Sequence, residues 1–274
     1  LRDLLSGIQP QHQVLVARQG GRIVGLLSAS AGPGLDTWAV ERLLCLPGEA
    51  AEETRRSLLR ALCTLAADEG IQKIFLRALA ESPLVESAVL VGFAHYTTEQ
   101  VYRLPAVPRV HAAPPPTLRP RRGRDHHALF RLYCAAVPGP VRQVEGMTLQ
   151  EWRWAEGWGL HQHLMRLPLG AGRRRDFVLE ENDTIIAWLG IERTRRRIMV
   201  MTHPDAAPPL GALLRFALTR LPPARDVSCA VRDYQGALGP TLEFLGFRPL
   251  ARHALLVRTL AVRVREPKLV PVRA

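Results

Sequence analysis

Lysine is almost missing from this chain: of 37 basic residues only Lys73 and Lys268 are lysines. The net charge of +12 is therefore an arginine charge. With abundant Ala, Leu and Pro, it fits the coding bias of a GC-rich genome as well as it fits a nucleic-acid surface. A positive field also attracts nucleotide cofactors, so charge alone does not decide between these readings. No apolar run reaches the roughly 18 residues of a membrane span, which excludes a helical membrane protein. The first residues, Leu1 to Ser6, carry neither the charged head nor the apolar stretch of a secretory signal. They also lack an initiator Met, so the chain is expected to begin inside a longer protein. Cysteine is sparse: Cys45, Cys63, Cys134 and Cys229 form no CxxC pair and no disulfide framework. Buried free thiols and a reducing, cytoplasmic setting are expected. Metal motifs are lacking too. His126-His127 and His161-Gln-His163 have no Cys or carboxylate at a ligand spacing, so no metal is expected. There is no GxSxG elbow, phosphate-cradling Walker loop or zinc-finger spacing.

What remains is a folded chain of 274 residues, 47% hydrophobic and 23% charged. That length and core content suit two domains. The periodicity breaks between Pro105 and Arg124, where Pro114-Pro115-Pro116, Pro120 and an arginine cluster read as a linker. The expected divisions are 1–105, a linker and possible first strand over 106–124, and 125–274.

The same order of elements stands on both sides. In the first half, strands Val14 to Arg18 and Ile23 to Ser28 flank the turn Gln19-Gly20-Gly21-Arg22. A third strand, Trp38 to Leu46, ends at Pro47. A helix follows, with Leu58, Leu59, Leu62, Leu65 and Ala66 on one face, stopped by Gly70. A strand from Ile71 to Leu76, a short helix from about Ser82, Gly92-Phe93 and an extended stretch to Leu104 complete the half. In the second half, Phe177 to Glu180 and Thr184 to Glu192 flank Asn182-Asp183, and Ile198 to Thr202 ends at His203-Pro204. A helix carries Leu210, Leu213, Leu214, Ala217 and Leu221 on one face. A strand from Val227 to Val231, a short helix from Leu238 to Leu245, Gly246-Phe247 and one or two strands over Leu255 to Val264 close it. A repeat of whole-domain length is a duplication rather than a solenoid. The second copy also has room ahead of its hairpin for helices over His126 to Val137 and Thr148 to Gly157. The first copy has no such room; those elements are either absent or upstream of Leu1.

Hairpin, third strand, amphipathic helix, strand, short helix, Gly-Phe and closing strands resemble the GNAT superfamily of acyl-CoA N-acyltransferases over nearly the whole chain. The pieces that carry the resemblance are Val231-Arg232-Asp233-Tyr234-Gln235 through Leu245-Gly246-Phe247, and Leu90-Val91-Gly92-Phe93. It implies an α/β (α+β) architecture of two tandem GNAT-like domains. Each is a mixed, mostly antiparallel sheet flanked by helices, in which the third strand and the strand after the long helix splay apart. The first domain would lack its opening strand and helices.

The resemblance further implies acetyl-CoA as co-substrate, with its diphosphate on the amino end of the helix after the third strand. That places the cofactor at Leu44, Cys45, Leu46, Thr54, Arg55 and Arg56 in the first copy. In the second it falls at Val200, Met201, Thr202, Leu210, Gly211 and Ala212. Both loops depart from the family pattern. Glu53 and Arg55 stand where glycines are usual, and so do Pro208 and Leu210; Pro208 and Pro209 have no N–H to donate. The family's thiolate-protonating tyrosine is replaced by Ala88 and by Leu242. Tyr234 either substitutes for it or packs its ring on the sheet as a turn residue. Glu41 is either the catalytic base of the first copy or an exposed strand carboxylate.

The expected function is N-acetyl transfer from acetyl-CoA to an amine of a small molecule or peptide. A non-catalytic GNAT-like scaffold or ligand-binding module is the alternative, and a nucleic-acid-associated protein the third. Arg173 to Arg175 and Arg193 with Arg195 to Arg197 should gather at one sheet end, away from the phosphate loop, as an anionic contact or a solvated face. Trp152, Trp154 and Trp158 read as core or interface rather than a base-stacking platform.

Overall fold

A computed structural model describes residues 12–32, 36–48, 50–109, 111–146 and 174–261. The expected helix over 148–157, the tryptophan group, His161, His163 and Arg173 fall outside them. The chain forms two compact units that are discontinuous in sequence. Unit 1 comprises residues 1–76, 83–94 and 256–274, and unit 2 comprises 77–82 and 95–255. The architecture is mixed α/β, with mostly antiparallel strand pairs.

In unit 1, β1 (Gln13–Gln19) and β2 (Arg22–Ala31) form an antiparallel hairpin. Its turn places Gly20 and Gly21 at φ 56° and 79°, the left-handed pair that matches strand twist. β3 (Thr37–Cys45) continues the meander and then pairs in parallel with β4 (Lys73–Leu79). Between them α1 (Ala51–Asp68) buries Leu58, Leu59, Leu62 and Ala66 against the sheet, the stripe its apolar spacing requires. Glu52 and Glu53 lie in its first turn, where carboxylates complement the helix dipole.

α2 (Pro83–Leu90) ends at Gly92-Phe93, and this dipeptide has a physical explanation. Gly92 takes φ 92°, the Gly92 N–H reaches the Val89 carbonyl at 2.8 Å, and the Phe93 N–H reaches that of Ala88 at 3.0 Å. This double closure needs a left-handed residue followed by one that packs inward, and Phe93 is 2% exposed. In the second copy α6 (Leu238–Phe244) ends the same way. Gly246 has φ 86°, and the Phe247 N–H bonds the Leu242 carbonyl at 3.0 Å.

Unit 2 repeats the meander with β7 (Arg175–Glu181), β8 (Thr184–Glu192) and β9 (Arg197–Thr202), turning through Asn182 and Asp183 at positive φ. The short β6 (Leu118–Pro120), within the expected linker, pairs with β7. α3 (His126–Ala136) and α4 (Gly139–Glu145) follow it, while α5 (Leu210–Thr219) and β10 (Val227–Arg232) follow β9. Two elements differ from expectation. The closing strand β11 (Arg248–Thr259) begins well before Leu255, because its first residues alternate with polar side chains and carry no apolar run. β5 (Ala94–Leu104), written in the first half, pairs antiparallel with β10 along Val227–Arg232. The core of unit 2 between sheet and α5/α6 gathers Tyr102, Leu189, Ile198, Leu214, Phe216 and Leu242. On the other sheet face, Leu129 and Leu132 of α3 pack with Val178, Ile185, Trp188 and Met201. Among the described residues no helix is long and apolar enough to cross a membrane.

Candidate functional site

The two helix mouths expected to hold a diphosphate are built differently. At α1, Arg56 is clamped by Glu52 at 3.2 Å and Glu53 at 2.9 Å. Arg55 donates to Ser87 Oγ at 3.1 Å, so both arginines have internal partners. The Thr54 methyl and Cys45 Sγ press on Gly25, where an added Cβ would meet them at 2.6 and 3.4 Å. Burial pushes the Cys45 thiol up, with Arg55 opposing. Leu44 and Leu46 are exposed. Two carboxylates on the helix end leave this mouth hostile to an anion.

At α5 the prolines remove two donors. The Leu210 N–H turns to the Pro208 carbonyl at 2.7 Å, and the Ala212 and Leu213 N–H groups to that of Pro209 at 3.0 Å. Gly211 N–H alone in this turn has no acceptor among the described residues. The Arg215 guanidinium stands beside it, 3.5 Å from where a Gly211 Cβ would be. This mouth offers one donor and one cation, a weak hold on a diphosphate.

The strand fork is clearer. β9 and β10 pair at only two positions, Arg197 with Ser228 and Ile198 with Cys229. Beyond these, Met199 to Thr202 and Ala230 to Arg232 have no register with each other. The Gln235 side chain spans the opening. Its Nε2 donates to the Val200 carbonyl at 2.8 Å, and its Oε1 accepts from the Arg232 N–H at 2.9 Å. One side-chain amide thus takes the place of a peptide group between parted strands. An open groove of about 210 Å³ along β5, β10 and α6 also reaches Gln235. In unit 1, β3 and β4 pair over four positions, ending at Val40 with Leu76.

On the α3/α4 side of the fork lies a half-buried polar cluster. Arg232 faces Glu99 across the β10–β5 pair, Nε to Oε2 3.4 Å, and its Nη2 lies 3.7 Å from Glu145 Oε1. Tyr133 Oη donates to the other Glu145 oxygen at 3.3 Å. Met201, from the part of β9 that has no register with β10, packs with Tyr96 and Tyr234 against the buried Tyr133, Val137 and Val141. Asp233 holds the turn in place by accepting from Thr97 Oγ1 at 2.7 Å and from the Thr98 N–H at 3.1 Å. Burial pushes the Glu145 carboxyl above the ordinary carboxylate range, opposed by Arg232 and the Tyr133 bond. Burial also pushes the Tyr234 phenol up to about 12, with Arg232 opposing and Glu145 reinforcing. At neutral pH Tyr234 therefore keeps its proton, and burial raises the affinity of Glu145 for one.

The structure brings Tyr234, Val200, Met201 and Thr202 to the fork, with Leu210, Gly211 and Ala212 at the α5 mouth. Glu41 lies in unit 1 on an exposed sheet face, accepting from Ser30 Oγ at 2.7 Å, with His12 at 3.8 Å. Glu145 and Gln235 are absent from the sequence-level candidates. Pro140 just inside α4 and left-handed Gly146 just past it are the signal that could have flagged Glu145's helix. The start of β7 and the β8–β9 turn do share one sheet end, through Arg175 with Ile191 and Glu192 with Arg197. There Arg174 is tied to Asp176 and stacks on Trp188, and Arg196 is tied to Asp226.

No family model matches the chain, and no curated protein matches it in sequence. Solved structures match it in fold. A tandem GNAT protein from the clavulanic acid biosynthesis pathway is similar at 16% identity and TM-score 0.54, over 95% of this chain and 87% of that one. The fold is a tandem GNAT fold. A GCN5-related N-acetyltransferase from Sphaerobacter thermophilus matches at 14% identity and TM-score 0.53, over 94% and 84%. A conserved protein of unknown function from Staphylococcus epidermidis matches at 10% and 0.54, over 94% and 98%.

Proposed function

We propose that unit 2 is an N-acyltransferase site passing an acyl group from acyl-CoA, with acetyl-CoA the simplest donor, directly to an amine. The carrying observation is the parting of β9 and β10 beside Glu145, Tyr133 and Tyr234. The strand groups at Val200 and Arg232 suit the amides of a pantetheine arm, although Gln235 engages them. Gly211 N–H and Arg215 would hold the diphosphate weakly. When bound, the donor supplies the thioester carbonyl. Glu145 takes the proton that the amine loses as its nitrogen bonds to that carbonyl carbon. Tyr234 gives its proton to the sulfur as the carbon–sulfur bond breaks and regains one from solvent. α3 and α4 cover this side of the sheet and limit water.

A second reading, a non-catalytic GNAT scaffold, draws on the bridged fork and the proline-blocked mouth. Calorimetry with acetyl-CoA and with CoA separates the two when combined with a thiol-release assay over an amine panel. Binding with amine-dependent thiol release supports the transferase. Absence of heat with both ligands at high micromolar protein, and no release, removes it.

A further inference from the structure

The hairpins of the two units share one register, down to the bulge between Ala17 and Arg18 and between Leu179 and Glu180. Val16 opposite Leu26, and Leu26 opposite Leu44, stand where Val178, Trp188 and Met201 stand in unit 2. Ile23 likewise occupies the place of Ile185. In unit 2 these four positions are covered by Leu129 and Leu132 of α3. In unit 1 Val16 is 44%, Ile23 56% and Leu44 61% exposed, and no described helix covers them. Val14 and Leu46 extend the same apolar exposure, of a kind that marks an interaction surface.

The charge at its edge says what fits. In unit 2 the residue just ahead of α3 is fixed by a relay: Glu180 holds Arg119 at 2.7 Å, and Arg119 holds Asp125 at 2.7 and 3.0 Å, while the Asp125 carboxylate also accepts the Arg122 N–H. The place of Glu180 is taken in unit 1 by Arg18, which has no acidic partner among the described residues. Arginine there would meet a carboxylate at the amino end of a helix directly, with no intermediary. We propose that this face of unit 1 docks an amphipathic helix of a partner protein, apolar toward Val16, Ile23, Leu26 and Leu44 and acidic at its amino end. A second copy of this chain is disfavoured by its net charge of +12.

The test uses the full chain and two synthetic helices of about 18 residues with the same leucine face, one with Asp and Glu in its first turn and one with Arg and Lys there. The thiol introduced by Val16→Cys is followed by alkylation and peptide mapping. It should react freely in the chain alone and be protected by the acidic helix only. Leu44→Glu should weaken that helix at least about tenfold, and Arg18→Glu should switch the preference to the basic one, with circular dichroism confirming both variants folded. The proposal is overturned if the thiol is protected in the chain alone, if sedimentation shows self-association that protects it, or if the two helices bind alike.

Discussion

The two units carry one strand register but have diverged in opposite ways. Unit 1 keeps a long, well-buried helix after its third strand and pairs β3 with β4 over four residues, yet fills the helix mouth with Glu52 and Glu53. Unit 2 pairs β9 with β10 at two positions only and gathers titratable side chains beside the gap, yet spends most of its helix-mouth donors on Pro208 and Pro209 carbonyls. A backbone plan can thus outlive the ligand contacts it once framed, because core packing and register rest on different residues from those lining a mouth or a fork.

The sharpest way to break this contrast is Glu145→Gln. If unit 2 carries the chemistry, kcat/KM should fall by about 10²–10⁴, while Glu41→Gln in unit 1 leaves it unchanged. The wild-type rate should drop on the acid side at a pH above the ordinary carboxylate range, since protonation removes the base, and the variant should lose that limb. The same raised value means that Glu145 favours the folded state below its ordinary pKa and less as pH rises through the raised one. By thermal melting, Glu145→Gln should therefore lose at neutral pH only what the Arg232 pair and the Tyr133 bond contribute.

Next in size is Gly25→Ala. Ala187 holds the equivalent place in unit 2 and carries a Cβ, whereas in unit 1 that carbon would lie 2.6 Å from the Thr54 methyl and 3.0 Å from Leu58. A loss of about 1–3 kcal/mol in denaturant unfolding is expected, and a neutral result would mean that α1 shifts without cost. The smallest effect is expected from Gln235→Ala. Freeing the Val200 carbonyl and the Arg232 N–H should tighten acetyl-CoA binding up to about tenfold by calorimetry, in line with one or two hydrogen bonds. Weaker binding instead would make Gln235 a ligand contact.

Much of the fold was legible because its signals are local. The Gly-Gly and Asn-Asp turns, the apolar stripe of α1 and the paired Gly-Phe sites each encode their own geometry. The partnership of β5 with β10 was not, since strand pairing across most of a chain leaves no mark in either segment. At the site, Tyr234 stood out from the motif that contains it. Glu145 did not, for it ends a seven-residue helix too short for periodicity, and its raised affinity for a proton arises from burial that only the fold creates. Gln235 was visible as a letter but not as a bridge, because its two bonds depend on β9 and β10 parting.

The placement of β5 also bears on how the molecule is made. This strand leaves the ribosome long before Val227–Arg232, the segment that hydrogen-bonds along its length. Until then one of its edges has no β10, and an unpaired edge invites mispairing with neighbouring chains. Synthesis order therefore leaves that edge open until β10 is made, and chains stalled before residue 227 should aggregate more readily than chains that include it.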